Sequence, residues 1–366
     1  MKKIKVLHLV PGLDAGGISM LLLNYYKLMD RNKISFDFAI FYDYIGMTGQ
    51  EFKKMGSKIY FLPKKSKDLI GYLKKLFEII NSNDYDIVHV HQNYLSFFSL
   101  MIAKKCGVKI RIVHSHSSQT ETGFLHKLYY YVGRFLNKIY ATDLFSCGEK
   151  AALFLFGTKK DVFIVNNAID VSSYEFNEGK REKKRKQMSF NDDYVICHVG
   201  RLSYVKNQRF LIDILERVLQ NIPNAKLVFV GNGEMELELK EYVSQKQLDD
   251  SVIFLGIRDD VDQILQASDL FVLPSLSEGL PVSGVEAIAS GIPCLFSDSV
   301  TKELLVRDGI EYISLNDVDG WINAIINYKD CKRYKNNNKF YDLFDIKRNA
   351  KLLEEKYISL VNKSIL

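Results

Sequence analysis

Two carboxylates, Glu278 and Glu286, sit within SLSEGLPVSGVEAIASGIPC, residues 275–294, and this is where the chain is best equipped for chemistry. The first falls in a Pro/Gly-marked loop, and the second is expected about two turns into the helix that follows. Pro281 suits the first helical position and Gly291 the position just past the end. Val282, Ser283 and Gly284 would form a first turn whose amides lack partners inside the helix, and such a start binds phosphate. Helical side chains lean toward the N-terminus, so Glu286 is expected to reach the space that Glu278 overlooks. A phosphate cradle flanked by two hydroxyl-accepting carboxylates suits a sugar nucleotide. A plain strand–loop–helix unit with two solvated glutamates fits the stretch as well, so the rest of the chain must decide.

Further candidates follow predicted strands. Gly200-Arg201 and Lys206-Asn207 leave a strand end and deliver two cations into one loop; an Arg fork and a Lys point charge together could neutralise a diphosphate, or simply be surface charges. Gly256-Ile257-Arg258 leaves another strand end and could wall a base pocket. The loop Gly12 to Gly17 lacks the G-x-G-x-x-G spacing of a dinucleotide fingerprint, although its paired glycines, Gly16 and Gly17, permit close backbone approach to a ligand. His89-x-His91 and His114-x-His116 each put two imidazoles on one strand face, which raises a four-histidine metal site. No carboxylate or cysteine lies close in sequence to complete a usual set, so no metal ligand is assigned. One or two of these histidines are expected to hydrogen-bond a ligand and the others to be satisfied in the core. Asp260-x-Asp262 and Asp84-x-Asp86 read as helix-start and turn residues.

The elements that would hold these residues alternate regularly. Strands are expected near 3–10, 36–42, 58–62, 86–91, 109–116, 143–147 and 162–166, and again near 194–199, 225–230, 251–255, 269–274, 293–296 and 311–315, with helices between. Strands alternating with helices imply parallel βαβ units whose sheets are covered on both faces. The length of 366 residues favours two domains, divided as 1–175 and 176–335. A last helix, from Tyr341 to about Val361, is expected within 336–366 to cross back and brace the first domain. Ligands in such folds sit beyond the carboxyl ends of the strands, so the cleft between two facing domains is the expected site. The run KREKKRK at 180–186 reads as a solvated helix face.

Composition narrows the classes. Hydrophobic content of 47% and charged content of 26% are ordinary for a globular protein, and the net charge of +6 gives no indication of nucleic acid. Five cysteines without paired spacing indicate a reduced, cytoplasmic setting with neither disulfide frame nor zinc ribbon. The N-terminus lacks a signal h-region, and no apolar run is long enough to span a bilayer. The segment 124–140, FLHKLYYYVGRFLNKIY, would as a helix line Lys127, Arg134 and Lys138 along one stripe beside Phe124, Tyr131 and Phe135. A basic stripe bordered by aromatics suits an anionic membrane surface, with core packing as the rival reading.

Taken in order, Gly16-Gly17, His116, Gly200-Arg201 with Lys206-Asn207, Gly256-Ile257-Arg258 and Glu278-x7-Glu286 resemble the retaining family-4 glycosyltransferases of the GT-B fold, especially bacterial exopolysaccharide and capsule members. The resemblance spans both halves, and the E-x7-E stretch with its GLP core is its most specific part. It implies an acceptor-binding first domain and a nucleotide-sugar-binding second one. Arg201 and Lys206 would bind the donor diphosphate, Glu278 the donor sugar and Glu286 the ribose. Gly279, Leu280, Pro281 and Val282 would line sugar and phosphate, Gly16 and Gly17 would meet the phosphate from the opposite domain, and Ile257 with Arg258 would meet the base. His116 would lie near the reacting centre. Ser19 replaces the acidic residue usual after the glycine pair.

The implied reaction moves a hexose or N-acetylhexosamine from a UDP-sugar to a saccharide hydroxyl with retention. No cofactor or metal is expected, because protein cations neutralise the leaving group. The acceptor is expected to be lipid-linked and the enzyme peripheral on the inner face of the plasma membrane. An epimerase of UDP-sugars and a non-catalytic partner subunit are the two rival readings.

Overall fold

The structure, a computed structural model, describes residues 2–14, 17–116 and 124–365, excluding the side chains of 124–128 and 365. The described chain forms two compact units. The first runs to Asn167 and takes in the C-terminal segment from Ile346, and the second spans Ala168–Asp345.

In the first unit lie β1 (Ile4–Val10), β2 (Ile34–Ile40), β3 (Ile59–Phe61), β4 (Ile87–Val90), β5 (Ile110–Ser115), β6 (Asp143–Ser146) and β7 (Val162–Ile164). They form one sheet in the order β3-β2-β1-β4-β5-β6-β7, with every pairing parallel. The second unit repeats the plan with β8 (Tyr194–Val199), β9 (Ala225–Val230), β10 (Val252–Phe254), β11 (Leu270–Leu273), β12 (Cys294–Ser297) and β13 (Ile310–Ile313). Their order is β10-β9-β8-β11-β12-β13, again parallel throughout. In each sheet the order reverses beside the first strand, at β1/β4 and at β8/β11, which are the topological switch points where doubly wound sheets bind ligands.

The sequence explains why these strands are central. β11 and β12, LFVL and CLFS, are buried at every position. One face of the second sheet packs Phe271, Leu273 and Phe296 against Val285 and Ile288 of the helix Val282–Ala289. The other packs Ile196, Val272 and Leu295 with Trp321, which is fully buried.

Several boundaries differ from the sequence reading. The chain leaves the first unit after Asn167, eight residues before the boundary at 175, because Ile169 and Val171 are buried in the second unit's core. The expected single last helix is two, Asn338–Phe344 and Ile346–Ile365, broken at Asp345, whose backbone is extended and pairs with Ile169. The basic run is helical, Glu178–Gln187, yet it is not a solvated face. Arg181, Lys184 and Arg185, spaced i, i+3, i+4, turn inward: Arg181 and Arg185 pair with Asp269 at 2.5 and 3.2 Å, and buried Lys184 pairs with Asp260. Asp260 therefore serves two cations, Lys184 and Arg258, and its side chain makes no cap to the helix it precedes.

The helix Ile346–Ile365 presents Ala350, Leu353 and Tyr357 to the first unit's interior, while its neighbour Leu352 stays 50% exposed. Adjacent leucines thus report on packing alone. Leu353→Ala is expected to lower unfolding free energy by about 2–5 kcal/mol, and Leu352→Ala by under about 0.5 kcal/mol. Urea titration of the two variants checks this, and equal losses would contradict the packing described.

Candidate functional site

The loops after β8 and β11 meet at the second unit's switch point and are stitched by backbone. Leu276 N–H donates to Val205 O at 2.8 Å, and Asn207 Nδ2 donates to Pro274 O at 3.2 Å. Asn207 holds φ 56 and ψ 41, the left-handed conformation that asparagine tolerates better than most residues. This fixed loop pair brings Lys206 onto Glu278: Nζ donates to Oε2 at 2.8 Å, with both side chains about four-fifths covered.

Beneath them runs a buried polar relay. His198 Nδ1 lies 3.0 Å from Val272 O, so Nδ1 carries the proton and Nε2 its lone pair. Gln208 Nε2 donates to that lone pair at 3.1 Å and to Arg201 O at 2.8 Å. Burial first and the Lys206 charge next hold the imidazole down to about 3, so it stays a neutral acceptor. His198 and Gln208, which the sequence reading passed over, therefore anchor the loop that carries Arg201. The Arg201 side chain reaches outward, 72% exposed, and its Nε donates to Glu234 Oε2 at 3.0 Å. Arg201 and Glu234 border a depression of ≈ 580 Å³ shared with Gly231, Asn232 and Gly233. Gly231 (φ 124) is required here, since a Cβ would lie 2.2 Å from Gly200 O.

The helix carrying the second glutamate starts at Val282, with Pro281 as its N-cap residue rather than its first turn. Gly284 N–H donates to Pro281 O at 3.1 Å, so the expected trio of open amides reduces to Val282 and Ser283. Glu286 is the fifth helical residue, one turn in rather than two. Its Oε1 accepts from Tyr174 Oη at 2.8 Å, a partner that sequence distance concealed. Burial pushes its carboxyl up to about 7, against the opposing pull of the tyrosine hydroxyl. Gly279 leaves open space where a Cβ would stand. Leu280 is partly buried against the core, Ile257 is 76% exposed, and Arg258 donates to Asp260 at 2.8 and 2.7 Å instead of standing free. Lys206 and Glu278 are thus brought together, while Arg201, Glu286 and Arg258 each face a different partner.

In the first unit, Gly16 lies outside the described residues, and Gly17 opens the helix Gly17–Leu28 with nothing near its would-be Cβ. Ser19, in place of an acidic residue, donates its hydroxyl to Gly12 O at 3.1 Å and is buried. His116 follows β5, partly buried, with its Nε2 2.7 Å from His91 Nδ1. Helix Phe124–Tyr140 is formed as expected. Asn137 and Tyr130 are buried, while Tyr131, Val132, Phe135 and Ile139 point outward, 65%, 44%, 65% and 48% exposed. Arg134 leaves the proposed stripe and reaches over Gly157, whereas Lys138 stays exposed. Phe124 and Lys127 fall among the side chains outside the description.

Sequence comparison places this geometry in context. The family model of glycosyl transferases group 1 matches residues 179–341, and that of glycosyltransferase family 4 matches residues 15–173. EpsF of Bacillus subtilis (strain 168) is 33% identical over 332 residues, covering 88% of this chain and 86% of its own. The chain belongs to glycosyltransferase family 4. A second family relative, the UDP-Gal:alpha-D-GlcNAc-diphosphoundecaprenol alpha-1,3-galactosyltransferase of Escherichia coli, is 29% identical, covering 82% of this chain and 81% of its own. Among solved structures, Anabaena Alr3699/HepE in complex with UDP superposes with a TM-score of 0.79 at 18% identity, over 97% of this chain and all of that one. That likeness establishes the fold, GT-B with two Rossmann-like units. This family-4 chain is accordingly an enzyme of the hexosyltransferase class.

The raised Glu286 carboxyl has a consequence for stability. A group whose folded pKa stands above its unfolded value of 4.5 contributes stability that is full below 4.5 and is lost as pH rises toward about 7. The loss is on the order of 3 kcal/mol at most. Glu286→Gln, which cannot ionise, is expected to flatten the fall in unfolding free energy between pH 5 and pH 8 by about that amount. Denaturant titration across this range checks it, and identical pH slopes in the two proteins would refute the assignment.

Proposed function

We propose that this family-4 enzyme transfers a hexose or N-acetylhexosamine from a UDP-sugar to a hydroxyl of a lipid-linked saccharide, with retention at the anomeric carbon, in bacterial exopolysaccharide or capsule synthesis. The Lys206–Glu278 ion pair at the switch point carries the reading. A lysine held against a carboxylate is a cation stored in place: when a diphosphate arrives, Lys206 can turn its charge to the phosphate and release Glu278 to accept hydroxyls of the sugar. The named donor of the Escherichia coli relative and the UDP in the Anabaena complex support the choice of UDP.

The mechanism is electrostatic. As the anomeric C–O bond to the diphosphate lengthens, positive charge grows on the sugar and negative charge on the leaving oxygen. Lys206, Arg201 and the open amides of Val282 and Ser283 stabilise that oxygen. The acceptor hydroxyl attacks from the face the diphosphate is leaving, and its proton passes to a departing phosphate oxygen, so the products are the glycoside and UDP. Glu286 accepts from the ribose, Ile257 and Arg258 flank the base, Gly16 and Gly17 meet the phosphate, and His116 lies near the reacting centre. In this reading no metal is needed at the diphosphate, since its charge is met by Arg201 and Lys206. Lys206→Ala and Arg201→Ala are each expected to lower kcat/KM by about 10²–10³-fold while leaving the circular dichroism spectrum intact. Measuring UDP release with and without acceptor tests this, and full activity in either variant, or sugar conversion without acceptor, sinks the proposal.

The outward face of Phe124–Tyr140 supports a membrane-surface location. Tyr131, Phe135 and Ile139 form an apolar stripe open to solvent beside Lys138, whereas the opposite face is packed. Such a helix lies in the interface plane of anionic lipid, at the inner face in this reading. No described helix is long and apolar enough to cross a membrane. Replacing Tyr131 and Phe135 by Ser is expected to reduce co-sedimentation with phosphatidylglycerol vesicles at least tenfold, with transfer to a soluble acceptor retained. Unchanged sedimentation would remove this part of the proposal.

A further inference from the structure

The first unit gathers five imidazoles in one place, four of them buried and His116 partly so. His8 lies in β1, His89 in β4 and His114 in β5, three adjacent strands, and His91 and His116 follow the ends of β4 and β5. Alternation puts 89 with 91 and 114 with 116 on a common face. Ring centroids stand 4.3 Å apart for His89–His91, 4.0 Å for His114–His116 and 5.0 Å for both His91–His114 and His91–His116. Phe36, Phe38, Phe145 and Tyr357 wall the group. The place is dry, so each ring nitrogen needs a partner.

Hydrogen bonding alone does not supply one. His89 is fully engaged, with Nδ1 2.8 Å from Tyr357 Oη and Nε2 3.1 Å from His114 Nδ1. His91 Nε2 faces His8 Nδ1 at 3.0 Å, and His91 Nδ1 faces His116 Nε2 at 2.7 Å. Both ladders end unsatisfied: His114 Nε2 and His8 Nε2 are buried without a partner among the described residues. A buried orphan of this kind costs about 1–3 kcal/mol, and a ligand at His114 Nε2 would relieve one of the two.

We propose that His91, His114 and His116 form a three-imidazole site for one divalent transition-metal ion of the zinc class. One ring nitrogen from each lies within 4.8 Å of the other two. The nitrogens this set would use are His114 Nε2, which is unengaged, and His91 Nδ1 and His116 Nε2, which are bonded to each other. A tetrahedral ion at about 2.0–2.1 Å from each sets such nitrogens about 3.3 Å apart, so only the 2.7 Å His91–His116 contact has to open. Every other bond in the cluster survives and becomes outer support: His8 on His91, and His89 with Tyr357 on His114. Coordination through His114 Nε2 also fixes the tautomers, since His114 Nδ1–H then donates to His89 Nε2 and His89 Nδ1–H to Tyr357. The alternative triad, His8, His89 and His91, would have to break a bond to His89, which has no free nitrogen. His116 is the least buried of the three ligands and gives the ion an entry. Three histidines leave a fourth position for water, and imidazole sets suit zinc, copper, iron and nickel. The ion organises the first unit and holds His116, placed near the reacting centre above, without itself entering a bond of the transferred sugar.

The probe is Co²⁺ added to tagless protein that has been treated with EDTA and dialysed. Expected is saturable uptake of one ion per chain with the intense visible bands of tetrahedral cobalt, bleached when Zn²⁺ displaces it. Uptake without saturation, or only the weak spectrum of octahedral cobalt, overturns the site in favour of a hydrogen-bonded ladder. His114→Gln is expected to weaken binding at least tenfold, and unchanged binding also overturns the site. Should that variant fail to fold, His8→Phe, which removes only the outer partner of His91, is expected to weaken binding about 10–100-fold, and unchanged affinity there counts equally against it.

Discussion

A parallel strand covered on both faces has no free backbone and no free side to offer, so a doubly wound sheet can do chemistry only where its strands stop. This constraint governs both units. β8 and β11 are buried along nearly their whole length, and the residues with chemical capacity, Arg201, Lys206 and Glu278, begin within a few positions of their ends. β8 and β11 are neighbours at the point where the strand order reverses, the place where doubly wound sheets bind ligands. The backbone bond from Leu276 to Val205 and the side-chain bond from Asn207 to Pro274 O tie the two connections into one platform. A lysine on that platform has lost much of its freedom before a ligand arrives, which reduces the ordering that binding would otherwise require.

The paired state of Lys206 and Glu278 also solves a problem of folding. A partly buried lysine beside a partly buried carboxylate is tolerable; either alone would be costly, since desolvation penalises an unpaired charge by several kcal/mol. The same logic appears away from the site, where Asp269 accepts from both Arg181 and Arg185 and from the amide of Val195. There the grouping holds a helix to a sheet. At Lys206 the pair borders open space at Gly279, so exchange of partners is sterically free. What distinguishes a binding pair from a structural one is whether another anion can reach it.

Much of this was legible in the amino-acid order. The strand runs are continuous and apolar, and β8 and β9 coincide with their expected bounds because each is closed by residues that end a strand. The Glu278 loop, the cations after β8 and the helix Phe124–Tyr140 were legible from type and spacing. Three kinds of feature were not. The inward turn of Arg181, Lys184 and Arg185 was hidden because charge pattern alone says nothing of partners, and Asp260 and Asp269 lie some 80 residues away along the chain. Tyr174 gave no signal of its role, as its partner Glu286 is 112 residues distant. His8 was visible only as a break in an apolar strand, and its significance depends on β1 lying beside β4. Each is a long-range pairing, fixed by topology rather than by local pattern.

The buried imidazoles show how costly an exception to the strand rule is. His8, His89 and His114 stand inside strands, where valine or isoleucine would pack without any polar obligation. Five neutral imidazoles offer five donors and five acceptors, and a chain of them can satisfy its members only in sequence, each giving to the next. Two separate ladders leave two buried ends without a partner among the described residues, beside the phenylalanine rings. Apolar replacements would have removed both orphans at once. His114 Nε2 is one of the two, and an ion shared with His91 and His116 would take it up. His198 in the second unit supplies the contrast: one buried imidazole between a carbonyl and an amide has both its ring nitrogens engaged.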